Sequence, residues 1–388
     1  MKKYIAIPLV ALSLATPAMA AITQIYVNGS TATRTDVYYA LAKKLAGSVD
    51  YAVKGAHGDN YFTFRGDWPA DGSALAGQEV EIYYSANGSA AGIGHIVAAD
   101  NVSFIDLTGA SFNHAATVAF SDVFQDSTTY NGDVQETAIG VITFTFARSV
   151  NAPATLVNVT DQNFASLWSF GSCSLDLFTG LPADVGTTVY CTGRDDGSGT
   201  RITTLAETGY GIGNGVQQNY NAVGFVQNAD QSKTRGANGA VWKAFGIADP
   251  DGEFLGDGWS SGGSVKADLQ NAGVPLAAGA GIGYVGLNDT PGGGLQIEYN
   301  GYLFSPANVQ QGNYTLWGYE HCDVTGGNAA ANNFQSAFPA AFDNLLTGAP
   351  YTAAAPADGG TYTPGAATLS LNSMDCFRND DGAHVFHN

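Results

Sequence analysis

The chain contains 388 residues, of which 34 are acidic and 15 are Lys or Arg, so its formal net charge is −19. This excess of negative charge argues against nucleic acids and anionic membrane surfaces as partners, because both would repel it. Beyond the N-terminal region, no stretch is long and apolar enough to cross a bilayer, so we expect no stable membrane insertion.

The N-terminus has the three parts of a secretory signal peptide. Lys2 and Lys3 form a positive region, an apolar segment follows, and the segment closes with the small-residue sequence AMA. This order predicts a signal peptide over 1–20, cleaved after Ala20. No cysteine follows the apolar segment, so the usual bacterial lipoprotein attachment site is missing. We therefore expect a periplasmic or secreted protein.

Hydrophobic periodicity predicts strands that alternate with helices along the rest of the chain, which indicates an α/β fold with open sheets. The predicted strands cover 22–31, 80–84, 116–122, 138–149, 187–192, 281–287 and 313–324. The predicted helices cover 33–47, a segment around 93–97, 158–171, 200–209 and 334–348. The segment 55–78 is interpreted as an irregular insertion, and 209–263 is rich in Gly, Asn and Asp with little periodicity.

Four cysteines, an even number in an exported chain, suggest two disulfides. Three pairings are possible. We favour Cys173–Cys191 and Cys322–Cys376, because the members of each pair are closest in sequence. No C-x-x-C motif is present, so a metal site is a weaker interpretation.

Three junctions between a strand and a helix share one composition: GST at 29–31, NGSAAG at 87–92 and DGSGT at 196–200. Each places hydroxyls and small residues where a helix begins. Free backbone N–H groups and the helix dipole make such a turn suitable for an anion, and glycine permits close approach. Ser and Thr are also ordinary N-caps, so one such loop alone is weak evidence. Three together, one beside an arginine, favour an anion site.

Charged residues near these junctions indicate what kind of anion binds. Arg194, just before the third junction, offers a planar fork of donors that suits a tetrahedral oxyanion. We expect Asp196 to pair with this guanidinium and to hold it in place. Asp122 ends the strand at 116–122, and its carboxylate would repel an anion that carried no proton. One acceptor among many donors therefore favours phosphate over sulfate, because phosphate carries a proton at neutral pH.

Together these motifs resemble the phosphate-binding proteins of high-affinity phosphate ABC transporters. The resemblance covers most of the mature chain in order, and its most specific part is R-x-D-G-S-G-T at 194–200. It implies a type II periplasmic binding protein, in which two α/β lobes with open sheets are joined by two hinge crossings and the ligand lies in the interlobe cleft. It implies lobe 1 at 21–140 and, with the C-terminal tail, at 314–388, and lobe 2 at 141–313.

The same resemblance implies the residues of the site and the partners. The phosphate ligands would be Thr31, the backbone of Ala32, Ser89, Asp122, Arg194, Ser198, Gly199 and Thr200, with Asp196 in support. Ala32 replaces an aromatic residue that is common there, but a backbone donor does not depend on its side chain. The implied function is to bind inorganic phosphate and to deliver it to an ABC permease, without catalysis, cofactor or metal.

Two other functions stay open. A surface or extracellular structural or phosphate-scavenging protein could use the same fold without a transporter, and the composition rich in Gly, Ala, Asn and Thr is compatible with it. A secreted phosphate-handling enzyme would use Asp122 and Arg194, but the sequence offers it no metal cluster or nucleophile–base pair. The G-x-S-x-G pattern at 258–262 follows no apolar strand, and the G-x-G-x-x-G pattern at 281–286 is itself a strand, so neither indicates a hydrolase or a dinucleotide site.

Overall fold

The structure, a computed structural model, describes residues 21–45, 49–55, 59–227, 233–246, 257–352, 361–363 and 367–387. The predicted signal peptide lies outside these ranges. Within them, no helix combines the length and apolar character needed to cross a bilayer. The α/β fold class is confirmed, and each strand and helix predicted from the periodicity has a counterpart at nearly the same position.

The described residues form 21 strands and eight helices, whose bounds are as follows. The strands are β1 Thr23–Gly29, β2 Val49–Val53, β3 Tyr61–Asp67, β4 Glu79–Ala86, β5 Asn101–Ile105, β6 Ser111–Ala115, β7 Val118–Ser121, β8 Val134–Arg148, β9 Asn158–Val159, β10 Ser172–Ser174, β11 Thr188–Thr192, β12 Asn219–Gln227, β13 Lys233–Ala244, β14 Ala280–Gly286, β15 Gln296–Tyr299, β16 Trp317–Thr325, β17 Tyr351–Thr352, β18 Thr361–Tyr362, β19 Thr368–Leu369, β20 Cys376–Phe377 and β21 Phe386–His387. The helices are α1 Arg34–Lys44, α2 Ser89–Ala98, α3 Asp161–Phe170, α4 Asp176–Thr179, α5 Gly199–Glu207, α6 Gly262–Leu269, α7 Pro306–Gln310 and α8 Ala329–Thr347.

The large mixed sheet has the strand order β10-β11-β14-β8-β16-β7-β1-β4-β3-β2. Parallel pairs are found in both halves, since β1 pairs with β4 and β7 while β11 pairs with β14. The long strand β8 joins the halves: it pairs with β16 over 134–143 and with β14 over 144–148. The chain therefore crosses from one half to the other along β8 and returns just before β16.

Each half of the sheet has its own hydrophobic core. The first core packs α1 and α8 against β1, β3 and β4, and α8 contributes Phe334, Phe338 and Phe342 at a spacing of four residues, which places them on one face of the helix. The second core lies around the far end of β8, where Phe146 packs with Trp168 of α3. The lobe boundaries expected from the sequence at 140/141 and 313/314 stay a prediction.

Two segments are more regular than the sequence indicated. Within 55–78, β3 extends the main sheet by pairing with β4, and Phe62 and Phe64 point into the first core. The alternation of these rings with Tyr61, Thr63 and Arg65 is the period-two pattern of a strand. Within the glycine-rich segment 209–263, β12 and β13 form a separate two-stranded hairpin.

The cysteines do not follow the predicted pairing. Cys173, Cys191, Cys322 and Cys376 are all free thiols. Cys322 lies in the first core and Cys376 in the second, so the predicted bond between them is wrong. Cys173 and Cys191 lie on neighbouring strands, but Cys173 is opposite Val189 and no bond joins the two sulfurs. Burial raises the pKa of the Cys173 thiol to about 11 and raises that of Cys191 further, so both stay protonated at neutral pH.

The C-terminal tail is fixed to the second half by a buried ion pair. The guanidinium of Arg378 donates to the Glu207 carboxylate of α5 at 2.9 Å and to the Thr315 carbonyl at 2.7 Å, and it stacks 4.0 Å from the centre of the Trp317 ring. Both charged side chains are less than a tenth exposed. Breaking such a pair by removing one partner leaves an uncompensated buried charge.

We expect Arg378→Met to lower the free energy of unfolding by about 3–5 kcal/mol, because Glu207 would lose its counter-charge. Arg65→Met is the matched control, since Arg65 pairs with Glu79 at 2.8 Å but both side chains are about a third exposed. The control should change stability little. Urea unfolding of the three proteins measures the difference, and equal midpoints for both variants would contradict the role of the buried pair.

Candidate anion-binding site

The first junction is shaped by a glycine at the end of β1. Gly29 has a φ of +114°, and a Cβ at this position would lie 2.1 Å from the carbonyl oxygen of Phe120 on the adjacent β7. Only glycine therefore allows this turn. Ser30 then folds the loop, because its hydroxyl accepts hydrogen bonds from the backbone N–H groups of Ala32 and Thr33 at 3.2 and 3.3 Å. Thr31, in the middle of the loop, is buried.

The second junction contacts the third. Ser89 is the first residue of α2 and is buried. The backbone N–H of Ala91 in the same helical turn donates to the carbonyl of Gly197 at 3.3 Å. The N-terminal turn of α2 therefore lies directly against the loop that begins α5, and the two positive helix ends face the same space.

The third junction begins α5 beside the carboxylate that follows β7. Ser198 is the N-cap, and its hydroxyl accepts from the backbone N–H of Arg201 at 3.4 Å. A Cβ on Gly199 would lie 2.0 Å from Oδ1 of Asp122, so glycine is required for this approach. Thr200 follows, and its side chain also bonds to Asp122.

Asp122 is the acidic group of this site and is 1% exposed. Burial raises the pKa of its carboxyl from 3.8 to about 6, because the Arg194 charge and the hydrogen bond from Thr200 only partly offset the loss of water. Among the residues that the structure describes, its Oδ1 has no hydrogen-bond partner. At neutral pH the group is an ionised acceptor with one free oxygen directed toward the start of α5.

Arg194 belongs to the second half and is 2% exposed. Its Nη2 donates to the Thr31 hydroxyl of the first junction at 3.2 Å and to the Ser260 carbonyl at 2.8 Å. Its Nε donates to the Trp259 carbonyl at 3.2 Å. The guanidinium is therefore held in one orientation by groups from both halves of the molecule.

Asp196 does not have the predicted role. It lies on the surface, and no ion pair forms between it and Arg194. Asp196 instead acts on Arg201, five residues further on, and Arg201 forms its own ion pair with Asp257 at 2.5 Å. The physical reason is the turn at 195–197, which points the Asp196 side chain outward to solvent.

The residues that do hold Arg194 were missed in the sequence. Trp259 and Ser260 belong to the pattern G-x-S-x-G at 258–262, and both accept hydrogen bonds from Arg194. Gly258, the first residue of the pattern, allows this close approach, because a Cβ there would lie 2.2 Å from the Arg194 carbonyl oxygen. Tyr284, within the pattern G-x-G-x-x-G, accepts from the backbone N–H of Arg194 at 3.1 Å. The sequence shows the glycines of both patterns, but they are far from Arg194 along the chain, so no sequence signal links them to it.

The structure thus brings all eight predicted ligand residues into one buried region at the junction of the two halves. The region combines a guanidinium, hydroxyl groups, the first turns of α2 and α5 and a single carboxylate with a free oxygen. Such a set can surround a small tetrahedral anion with donors while offering it one acceptor. Their contact with a ligand stays a prediction.

The chain matches no protein-family model and no curated protein sequence. Among solved structures it is similar to a Clostridium perfringens protein described as a phosphate ABC transporter substrate-binding protein, with 14% identity, 84% of this chain and 93% of that chain covered, and a TM-score of 0.45. It is also similar to an ABC-type phosphate transport receptor from Vibrio cholerae, with 10% identity, 82% of this chain and 93% of that chain covered, and a TM-score of 0.43. A phosphate-binding protein from Stenotrophomonas maltophilia is similar with 15% identity, 89% of this chain and 87% of that chain covered, and a TM-score of 0.38. These proteins are of the kind that the sequence motifs resembled. The likeness is one of fold, and the function proposed below is supported by the site itself.

We expect Asp122→Asn to stabilise the protein at neutral pH in a buffer free of oxyanions. The folded-state pKa of Asp122, about 6, lies above the ordinary 3.8, so the folded state binds more protons between these values and wild-type stability falls as pH rises through them. The substitution should raise the free energy of unfolding at pH 7 by about 3 kcal/mol, and the gain should disappear below about pH 4.

Urea unfolding across that pH range measures this effect. Asp126→Asn is the control, because Asp126 is an exposed carboxylate four residues further along the same loop. It should leave the pH dependence of stability unchanged. A loss of stability in Asp122→Asn at pH 7 would contradict the strained, buried carboxylate described above.

Proposed function

We propose that the protein binds inorganic phosphate in the cleft between its two halves and delivers it to an ABC permease, as an exported solute-binding protein without catalysis. The observation that carries this proposal is the buried Asp122 carboxylate, whose Oδ1 is unpartnered and lies beside the donors of α5. Thr31, the backbone of Ala32, Ser89, Arg194, Ser198, Gly199 and Thr200 are proposed as the donors that complete the site. We propose the periplasm or the exterior as its location, with the signal peptide cleaved after Ala20.

The single acceptor accounts for the choice of anion. HPO₄²⁻ and H₂PO₄⁻ can each donate a hydrogen bond to Asp122, whereas sulfate at neutral pH has no proton to give. An unprotonated anion would place two negative groups against each other in a region without water, which is costly. Arg194 and the helix N-termini would attract either anion, so Asp122 is the group that discriminates between them.

The net charge of −19 does not prevent this binding. Exposed charges more than about 8–10 Å away are screened at physiological ionic strength. The donors of the site are buried and lie close together, so their local effect on a bound anion exceeds that of the distant surface charge.

The structural alternative, a surface or extracellular protein of the same fold, makes a different use of the cleft. In that case the polar groups would hold the two halves together and no anion would be needed. The alternative predicts no measurable affinity for phosphate. Phosphate binding without any permease partner would favour a scavenging protein instead.

We expect Arg194→Met to weaken phosphate binding by roughly 2–5 kcal/mol, because Asp122 would then face the anion without a counter-charge. Asp196→Asn is the matched control: Asp196 was expected from the sequence to support the arginine, but it lies on the surface. It should bind phosphate like the wild type. Isothermal calorimetry measures all three, and unchanged affinity in Arg194→Met would exclude this arginine from the site.

We expect the wild-type protein to bind phosphate and arsenate but to ignore sulfate at neutral pH. Asp122→Asn should reduce the ratio of phosphate affinity to sulfate affinity by on the order of tenfold or more, because an amide can donate to an unprotonated oxygen. Competitive binding of the two anions to both proteins provides the measurement. Equal wild-type affinity for phosphate and sulfate would refute the role of Asp122 as a reader of the ligand proton, even if an anion site exists.

A further inference from the structure

A second buried carboxyl group lies beside Asp122. Strands β7 and β16 are antiparallel, with Ser121 opposite His321. The paired ladder ends there, with Asp122 following Ser121 in the chain and Glu320 preceding His321. Of the charged groups that act on Glu320, Asp122 has the largest effect. Glu320 is 0% exposed, so two carboxyl groups share one interior region at the cleft.

Glu320 is also connected to the first junction. Its Oε1 accepts a hydrogen bond from the Thr33 hydroxyl at 2.9 Å, and Thr33 is held by the same Ser30 hydroxyl that orders the loop. Its Oε2, like Oδ1 of Asp122, is buried and has no hydrogen-bond partner within the described part of the chain. A structural hydrogen bond to Thr33 explains one oxygen of Glu320 and leaves the other unexplained.

The surroundings of Glu320 favour its protonated form. The charged groups that act on it are acidic: Asp122 after β7, Asp323 on β16 and Asp36 of α1. The nearby Tyr84 hydroxyl of β4 is buried and neutral, because burial raises its pKa well above the ordinary value. Burial first, and then the Asp122 charge, raises the pKa of Glu320 well above its ordinary value.

The two carboxyl groups therefore take different states at neutral pH. Asp122, with a pKa of about 6, gives up its proton first, because it has Arg194 and Thr200 as partners. Glu320 keeps its proton, since two adjacent buried carboxylates would repel each other without water to screen them. At neutral pH the pair therefore holds one proton, which is on Glu320.

We propose that Glu320 is a second carboxyl group of the same anion site, held neutral by its buried position beside Asp122, and that its loss of a proton sets the alkaline limit of anion binding. This inference rests on the proposed function. Above that limit the pair would carry two negative charges, and the second would oppose a bound oxyanion. Glu320 is a positioning residue in this scheme, since it acts on the anion through Asp122 and through the loop that Thr33 anchors.

The test compares phosphate binding by the wild type, Glu320→Gln and Glu136→Gln between about pH 6 and pH 10. Glutamine keeps the shape of the side chain and the acceptor for Thr33 but cannot ionise. Glu136→Gln is the control, because it removes a carboxyl of β8 whose neighbouring charges are Asp126 and Asp380 rather than Asp122 or Glu320. The titration of phosphate itself is common to all three proteins and cancels in the comparison.

We expect the affinity of the wild type for phosphate to fall by on the order of tenfold per pH unit above the limit. Relative to its own value near pH 7, the affinity of Glu320→Gln should fall less at alkaline pH. Glu136→Gln should follow the wild type. Parallel profiles for the wild type and Glu320→Gln would overturn the inference and leave the proposed function intact. Wild-type protein that binds no phosphate at any pH would overturn both.

A second measurement covers the case in which Glu320→Gln does not fold. Phosphate binding by the wild type is measured at one alkaline pH in buffers of different ionisation enthalpy. We expect proton uptake on binding to increase as the pH rises through the limit, because Glu320 must regain its proton before the anion is held while free phosphate stays HPO₄²⁻ over that alkaline range. Binding at alkaline pH without proton uptake would overturn the inference.

Discussion

Burying the carboxylate of Asp122 between the two halves of the molecule requires that positive charge and hydrogen-bond donors be brought to it from distant parts of the chain. Arg194 supplies the charge and α5 supplies the donors. Gly199 lets that helix begin against the carboxylate, since any Cβ there would overlap Oδ1. The first junction depends on a glycine in the same way, because Gly29 allows the chain to turn against Phe120 of β7, two residues before Asp122.

The sheet provides the frame in which these groups can meet. Strand β8 pairs with β16 in one half and with β14 in the other, so the two cores are tied by continuous backbone hydrogen bonds. Within this frame Arg194 of the second half donates directly to Thr31 of the first junction.

Features that depend on neighbouring residues could be predicted from the sequence. The α/β class followed from hydrophobic periodicity, and the three junctions followed from glycine and hydroxyl residues placed where strands give way to helices. The resemblance then grouped Asp122 with Arg194. These signals are local, because a turn and a helix cap are determined by a few consecutive residues.

Features that depend on contacts between distant residues could not be predicted in this way. Trp259 and Ser260 hold Arg194 from 65 and 66 positions away, and Glu320 reaches Thr33 across 287 positions. A short distance in the sequence was also misleading. Asp196 is only two residues from Arg194, which it was expected to support, but its side chain points outward to solvent. The disulfide prediction failed for the same reason, because sequence distance placed Cys322 with Cys376 although they belong to different cores.

The most direct test of the proposed site is a crystal structure of the protein grown with arsenate, in which the anomalous signal of arsenic locates the anion independently of the protein. We expect one arsenic peak in the cleft, with an arsenate oxygen about 2.5–2.7 Å from Oδ1 of Asp122 and others at hydrogen-bond distance from Arg194 and from the first turn of α5. A well-ordered cleft without arsenic, or an arsenic peak only at a site away from Asp122 and Arg194, would contradict the account.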